Sequence, residues 1–214
     1  MVGALVLNAI AAHAFGPYTS GQTGYDISYP QCPGTSAPNG SFGIIGVNDG
    51  RPFSTNPCFG NEYSGVANSV YINTGYAKAY RSKITSGCSA GAQSVAWAIG
   101  CSEAETSLSS VGGRSVSMWW LDVETANSWS SGNLTPNRDA IQGAISRLQA
   151  AGPVGVYSTA SMWSRITGSN FVPSGASGVW VPASQCQGTP SFINGVGVWL
   201  AQKVVNNLDV DTAC

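Results

Sequence analysis

The chain has 214 residues, only 9% of them charged, and a formal net charge of −1. Its length and 43% hydrophobic content suit one well-buried domain, and with no basic run it offers no footprint for nucleic acid. The only histidine is His13, in a segment expected to be removed, so Ser-His-Asp and Cys-His catalysis and a His-containing zinc site are excluded from the mature protein.

Residues 2–15 form an apolar run in which Ala12-His13-Ala14 resembles a small-residue cleavage site, which would end a signal peptide of residues 1–14. The run is too short to cross a bilayer as a helix, and it is read as a signal peptide, although it lacks the usual Lys or Arg at its start. Residues 15–23 are read as a short lead-in, and residues 24–214 as a single domain. Eight short apolar runs follow, separated by Gly, Pro, Ser and Asn: 24–28, 42–47, 69–73, 118–123, 154–157, 178–181, 196–201 and a weak 207–210. Between them, 137–151 places Ile141, Ala144, Ile145 and Leu148 on one helical face, with Asn137 as cap and Gly152 as stop. Residues 91–99 are a second helix candidate. Strands alternating with helices, with near-continuous apolar strands, predict a parallel sheet covered on both faces. Eight strands in so short a chain predict a compact α/β fold, a (β/α) TIM-like barrel. A doubly wound open sheet is the alternative, and no G-x-G-x-x-G follows a strand to support a dinucleotide fold.

The six cysteines, Cys32, Cys58, Cys88, Cys101, Cys186 and Cys214, form no C-x-x-C pair, which leaves zinc-ribbon and thioredoxin-like readings without support. An even count beside an export signal predicts three disulfides. Sequence alone does not choose among the connectivities; nearest-neighbour pairing is the expectation.

Scarce charge gives each carboxylate weight. In Trp119-Trp120-Leu121-Asp122-Val123-Glu124, two acids stand two residues apart at the end of an apolar strand. Alternation puts Asp122 and Glu124 on one face and Leu121 and Val123 on the other. Such neighbours repel, so one holds its proton to higher pH, which is what glycoside hydrolysis needs. Asp26 ends the first run, and Asp209 and Asp211 sit in the last. In a closed barrel the first and last strands are neighbours, so Asp26 and Asp209 would meet across the seam and face Asp122 and Glu124. Tyr29, Trp120, Trp129, Tyr157, Trp163, Trp180 and Trp199 lie near strand ends, where flat rings suit sugar faces. Tyr157 and Tyr29, with Asn73 and Gln202 as hydrogen-bond partners for hydroxyl or acetamido groups, are the candidate substrate contacts. No cofactor is expected. Four acids could hold Ca²⁺ or Mg²⁺, but Asp209-Val210-Asp211 lacks the rest of an EF-hand loop, and no metal is predicted.

Gly24-Tyr25-Asp26-Ile27-Ser28 resembles the opening G-x-D-x-S of family 25 glycoside hydrolases, the Chalaropsis-type lysozymes. Leu121-Asp122-Val123-Glu124 resembles their central D-x-E, and the helix before Val154-Gly155-Val156-Tyr157-Ser158 resembles their helix and G-V-Y-S strand. Trp199 to Gln202 and Leu208 to Asp211 resemble their closing segments. The resemblance implies a secreted (β/α) barrel muramidase, acting on the β-1,4 bond between N-acetylmuramic acid and N-acetylglucosamine. It implies Glu124 as general acid/base and Asp122 as the group that orients the attacking acetamido group, with Asp26 and Asp209 lining the site. Gly46-Val47-Asn48-Asp49-Gly50 departs from the family's lysine-containing segment, and Tyr71-Ile72-Asn73-Thr74 from its aromatic-histidine ending. Tyr-Pro-Gln-Cys at 29–32 and Asn-Pro-Cys at 56–58 mark a disulfide-bearing branch. Chitinases also end a strand in D-x-E, but carry further acids where Met118 and Trp120 stand here. The expected partner is peptidoglycan or a related amino-sugar polymer, met by a monomer with no membrane span. A non-catalytic wall-binding barrel and a hydrolase of another polysaccharide are the alternatives.

Overall fold

Eight strands match the eight apolar runs: β1 (Thr23–Ile27), β2 (Gly43–Gly46), β3 (Ala67–Asn73), β4 (Met118–Asp122), β5 (Val154–Tyr157), β6 (Ala176–Pro182), β7 (Val198–Val205) and β8 (Leu208–Ala213). The structure is a computed structural model that describes residues 14–32 and 38–214. Residues 1–13 of the expected signal peptide, His13 included, lie outside the described residues. The strands close into a barrel in the order β8-β1-β2-β3-β4-β5-β6-β7. β1 to β7 pair in parallel, as their helical and loop crossovers require. The seam departs from the expected parallel sheet, because β8 is antiparallel to both β7 and β1. Its cause is the two-residue turn Asn206-Asn207, with both φ angles in the left-handed region that Asn tolerates. So tight a turn can only send the chain straight back.

Alternation sorts each strand into two cores. Leu121 and Val123 point outward and pack with Ile141, Ala144, Ile145 and Leu148 beneath the helices. Met118 and Trp120 point inward and fill the barrel with Phe42, Ile44, Trp180 and Leu200. The inner core includes a residue from the lead-in. Tyr18 is buried at the N-terminal end of the barrel, where its hydroxyl donates to Ser69 Oγ (2.8 Å) and accepts from Trp120 Nε1 (2.9 Å). The lead-in therefore closes the barrel floor.

Among the described residues, three helices longer than a single turn cover the outside: α1 (Val95–Val111), α2 (Thr135–Leu148) and α3 (Ala160–Thr167). Ser94 Oγ and Thr159 Oγ1 cap α1 and α3 by accepting from Trp97 N and Met162 N. α1 starts four residues later than the 91–99 candidate and runs on to Gly112, whose positive φ ends it. α2 starts two residues before Asn137, with Pro136 in its first turn, so Asn137 is not its cap. Asn137 is instead fully buried and binds Ser130 N, Ser130 O and Ile166 O, tying the β4–α2 loop to the end of α3. α2 ends at Leu148, short of the expected stop at Gly152. Among the described residues no helix is long and apolar enough to cross a membrane.

α1 and α2 touch backbone to backbone at two glycines. A Cβ on Gly100 would stand 1.8 Å from Ala140 O, and one on Gly143 would stand 2.1 Å from Trp97 O. Gly→Ala inside a helix ordinarily stabilises by about 1 kcal/mol. Here Gly100→Ala is expected to destabilise by roughly 1–3 kcal/mol, because two main chains must part. Urea unfolding checks the sign, and a stabilised variant would refute the close contact.

The cysteines pair as nearest neighbours: Cys32–Cys58, Cys88–Cys101 and Cys186–Cys214. The second ties the one-turn helix Ser86–Ser89 to α1, and the third ties the β6–β7 loop to the end of β8.

Candidate active site

The C-terminal rim of the parallel strands gathers four acids. Asp26 is next to last in β1, Asp122 ends β4, and Glu124 lies two residues beyond it. Asp209 is at the start of β8, which reaches the same rim because that strand runs the other way. Asp209 pairs directly with Asp26 across the seam. All four line one cleft of about 420 Å³, together with Tyr71, Tyr157, Trp180, Pro182, Gln202 and Val204.

The main chain fixes the D-x-E segment past the end of β4. Val123 N donates to Tyr157 O (3.0 Å), and Val123 O accepts from Ser158 Oγ (2.7 Å). Glu124 O accepts from Trp129 Nε1 (2.8 Å) and Asn127 N (3.1 Å). The strand alternation therefore continues to Glu124, and its carboxyl shares the inward face with Asp122.

Of the substrate contacts expected from sequence, Tyr157 and Gln202 line the cleft. Gln202 Nε2 donates to Asp26 Oδ2 (2.8 Å), and its Oε1 accepts from Tyr157 Oη (2.8 Å). Asn73 donates its side-chain amide to Asp122 Oδ2, and its main-chain N–H to Asn48 Oδ1 (2.9 Å). Both amides thus hold acids in place from within the protein. Tyr29 is not brought into the cleft: it is 41% exposed and lies against the loop at Gly50. β1 stops at Ile27, and Ser28 N donates to Gln31 Oε1 in a one-turn 3-10 helix, Tyr29–Gln31, that diverts the ring from the strand direction. Among the other aromatics, Trp180 lines the cleft, Trp120 fills the barrel below it, and Trp163 packs in the outer core. Trp129 serves the main chain of Glu124. Tyr71, edge-on to Trp180, lines the cleft without having been singled out in the sequence.

Burial pushes every acid of the cleft upward, and repulsion from a neighbouring acid adds to it for Asp26, Asp122 and Glu124. Asp26, 7% exposed, rises to about 7 through burial and the charge of Asp209, against hydrogen bonds from Gln202 and Asp211. Burial, then the charge of Glu124, holds Asp122 well above the usual carboxylate range, although Asn73 opposes the rise. Glu124 is raised by burial and by Asp209, and Asp209 by burial. The two ion pairs among the described residues, Arg51–Asp49 and Arg147–Glu105, involve none of these groups. Asp122 Oδ1 is buried and has no hydrogen-bond partner among the described residues. Such a site can deliver a proton, stabilise positive charge, and accept a hydrogen bond from a substrate N–H.

Comparison with known proteins agrees with the resemblance read from the sequence. The sequence profile of a family described as Lysozyme-like protein 1 matches residues 98–190. Among curated proteins, none matches the sequence. The barrel is similar to the bacterial lysozyme from Streptomyces coelicolor (TM-score 0.59, 20% identity, 91% of this chain and 92% of that one). It is also similar to the muramidase from Trichobolus zukalii (TM-score 0.62, 19% identity, 90% and 93%). The modular Cpl-1 endolysin, solved in complex with a peptidoglycan analogue, matches over 91% of this chain and 54% of its own (TM-score 0.56, 17% identity). At these identities the similarity is one of fold.

Proposed function

We propose that this lysozyme-like barrel, a disulfide-bonded relative of the family 25 glycoside hydrolases, is an exported enzyme that cleaves peptidoglycan between N-acetylmuramic acid and N-acetylglucosamine. The observation that carries the proposal is the meeting of Asp26, Asp122, Glu124 and Asp209, from three strands far apart in sequence, in one open cleft. Glu124, at the mouth, protonates the leaving oxygen and later takes a proton from water. Asp122 offers its free Oδ1 to the N–H of the sugar's acetamido group, whose carbonyl oxygen attacks the anomeric carbon. Asp26 and Asp209 favour the positive charge that develops there. Tyr157 and Trp180 form an aromatic wall for a sugar ring. Three disulfides support export, since such bonds persist in oxidising compartments.

The test is incubation of the purified chain with purified peptidoglycan, followed by borohydride reduction of the new ends. Reduced muramic acid is expected. Reduced glucosamine would reassign the bond, and wall binding with no new reducing ends would identify a non-catalytic barrel.

A further inference from the structure

One buried acid of the barrel has no part in the mechanism above. Asp211 is 0% exposed, on the same inward face of β8 as Asp209 and one layer deeper. Its Oδ1 accepts from Trp180 Nε1 (2.8 Å). Its Oδ2 is buried, and among the described residues no hydrogen-bond donor reaches it. The acidic neighbour on that side is the carboxyl of Asp26, on the adjacent strand β1 and the same inward face. Two carboxyls joined by a hydrogen bond need a proton between them. Asp211 is the deeper of the two, whereas Asp26 opens to the cleft and already accepts from Gln202.

We propose that Asp211 is a positioning residue for the reaction: it keeps its proton and donates it in a hydrogen bond to Asp26, holding Asp26 anionic and aimed into the cleft. Every donor in this network then points toward Asp26. Trp180 donates to Asp211, Asp211 to Asp26, Gln202 to Asp26, and Tyr157 to Gln202. The titratable groups around the pair are Asp209 on β8, Asp122 and Glu124 at the end of β4, Tyr71 on β3, Tyr157 on β5 and Tyr18 at the floor. None of them is paired with a Lys or Arg among the described residues. Burial, and then the charge of Asp26, push the Asp211 carboxyl well above the usual range, in keeping with a group that stays protonated.

The inference rests on the enzyme reading for its effect on turnover, but not for its chemistry. Asp211→Asn is the isostere of the protonated acid: its carbonyl can accept from Trp180 and its amide can donate to Asp26. It is expected to keep wild-type kcat, KM and pH profile. Asp211→Ala removes the donor, and kcat is expected to fall roughly 10- to 100-fold, the loss of one hydrogen bond to a charged group, with KM unchanged. The acidic limb of its pH profile moves to higher pH, because Asp26 then protonates more readily. Full kcat in Asp211→Ala, or an Asp211→Asn as impaired as Asp211→Ala, overturns the proposal. Infrared difference spectra of wild type against Asp211→Asn at neutral pH need no turnover. A carbonyl stretch from a protonated acid, lost in the variant, is expected, and an ionised Asp211 overturns the proposal even if Asp211→Ala does not fold. Should the wild type itself cleave no wall glycan, the enzyme reading fails, and the infrared band still decides the state of Asp211.

Discussion

Glu124→Gln is expected to lower kcat on peptidoglycan by about 10³-fold, the usual scale of a lost general acid/base, while KM and the melting temperature stay close to wild type. The carboxyl of Glu124 has no hydrogen-bond partner among the described residues. What anchors the residue is its carbonyl oxygen, held by Trp129 and Asn127, and Gln keeps that intact. The amide preserves size and polarity but cannot give up a proton to a leaving oxygen. Asp122 cannot replace it, being buried at 6% exposure with Asn73 on one oxygen. A loss of less than tenfold, measured by reducing-end release from a soluble glycan fragment, would remove Glu124 from the role.

Such a site could be located from sequence because strand alternation is a strict rule. The runs at 118–123 and 24–28 gave the inward face, and closure brought their acids to one rim. Alternation fixes the face of a strand, but not the depth along it. Asp209 and Asp211 look equivalent in Leu208-Asp209-Val210-Asp211, yet one opens to the cleft and the other is sealed beneath Trp180. Only the register with β1 and β7 distinguishes them. Local turn chemistry hid other features. Asn137 reads as a cap, but Pro136 lets the helix start earlier and releases its side chain to bridge Ser130 and Ile166. Tyr29 reads as a strand-end aromatic, but the Ser28–Gln31 turn takes it away from the strand. The antiparallel seam was written in Asn206-Asn207, a pair suited to a tight hairpin that merges with the apolar run on either side.

Acidification from pH 8 to pH 5 is expected to raise the melting temperature, the reverse of ordinary acid denaturation. Asp26, Asp122, Glu124, Asp209 and Asp211 in the barrel, and the buried Glu62 and Glu103 outside it, are all raised by burial. Asp49, at the surface beside Ser54 and Arg51, is the carboxylate lowered among the described residues. A raised carboxyl binds its proton more tightly folded than unfolded. Its contribution is complete below the unfolded value and is lost as pH climbs through the folded one, which for Asp26 means between 3.8 and about 7. That single displacement is worth on the order of 4 kcal/mol. Repulsion among neighbouring acids means their contributions do not add. Even about 2 kcal/mol corresponds to a shift of roughly 4–8 °C for a domain of this size. Calorimetry at constant ionic strength supplies the measurement. A melting temperature that climbs from pH 5 to pH 8 would mean that these carboxyls ionise freely, and that the barrel interior is wetter than its packing implies.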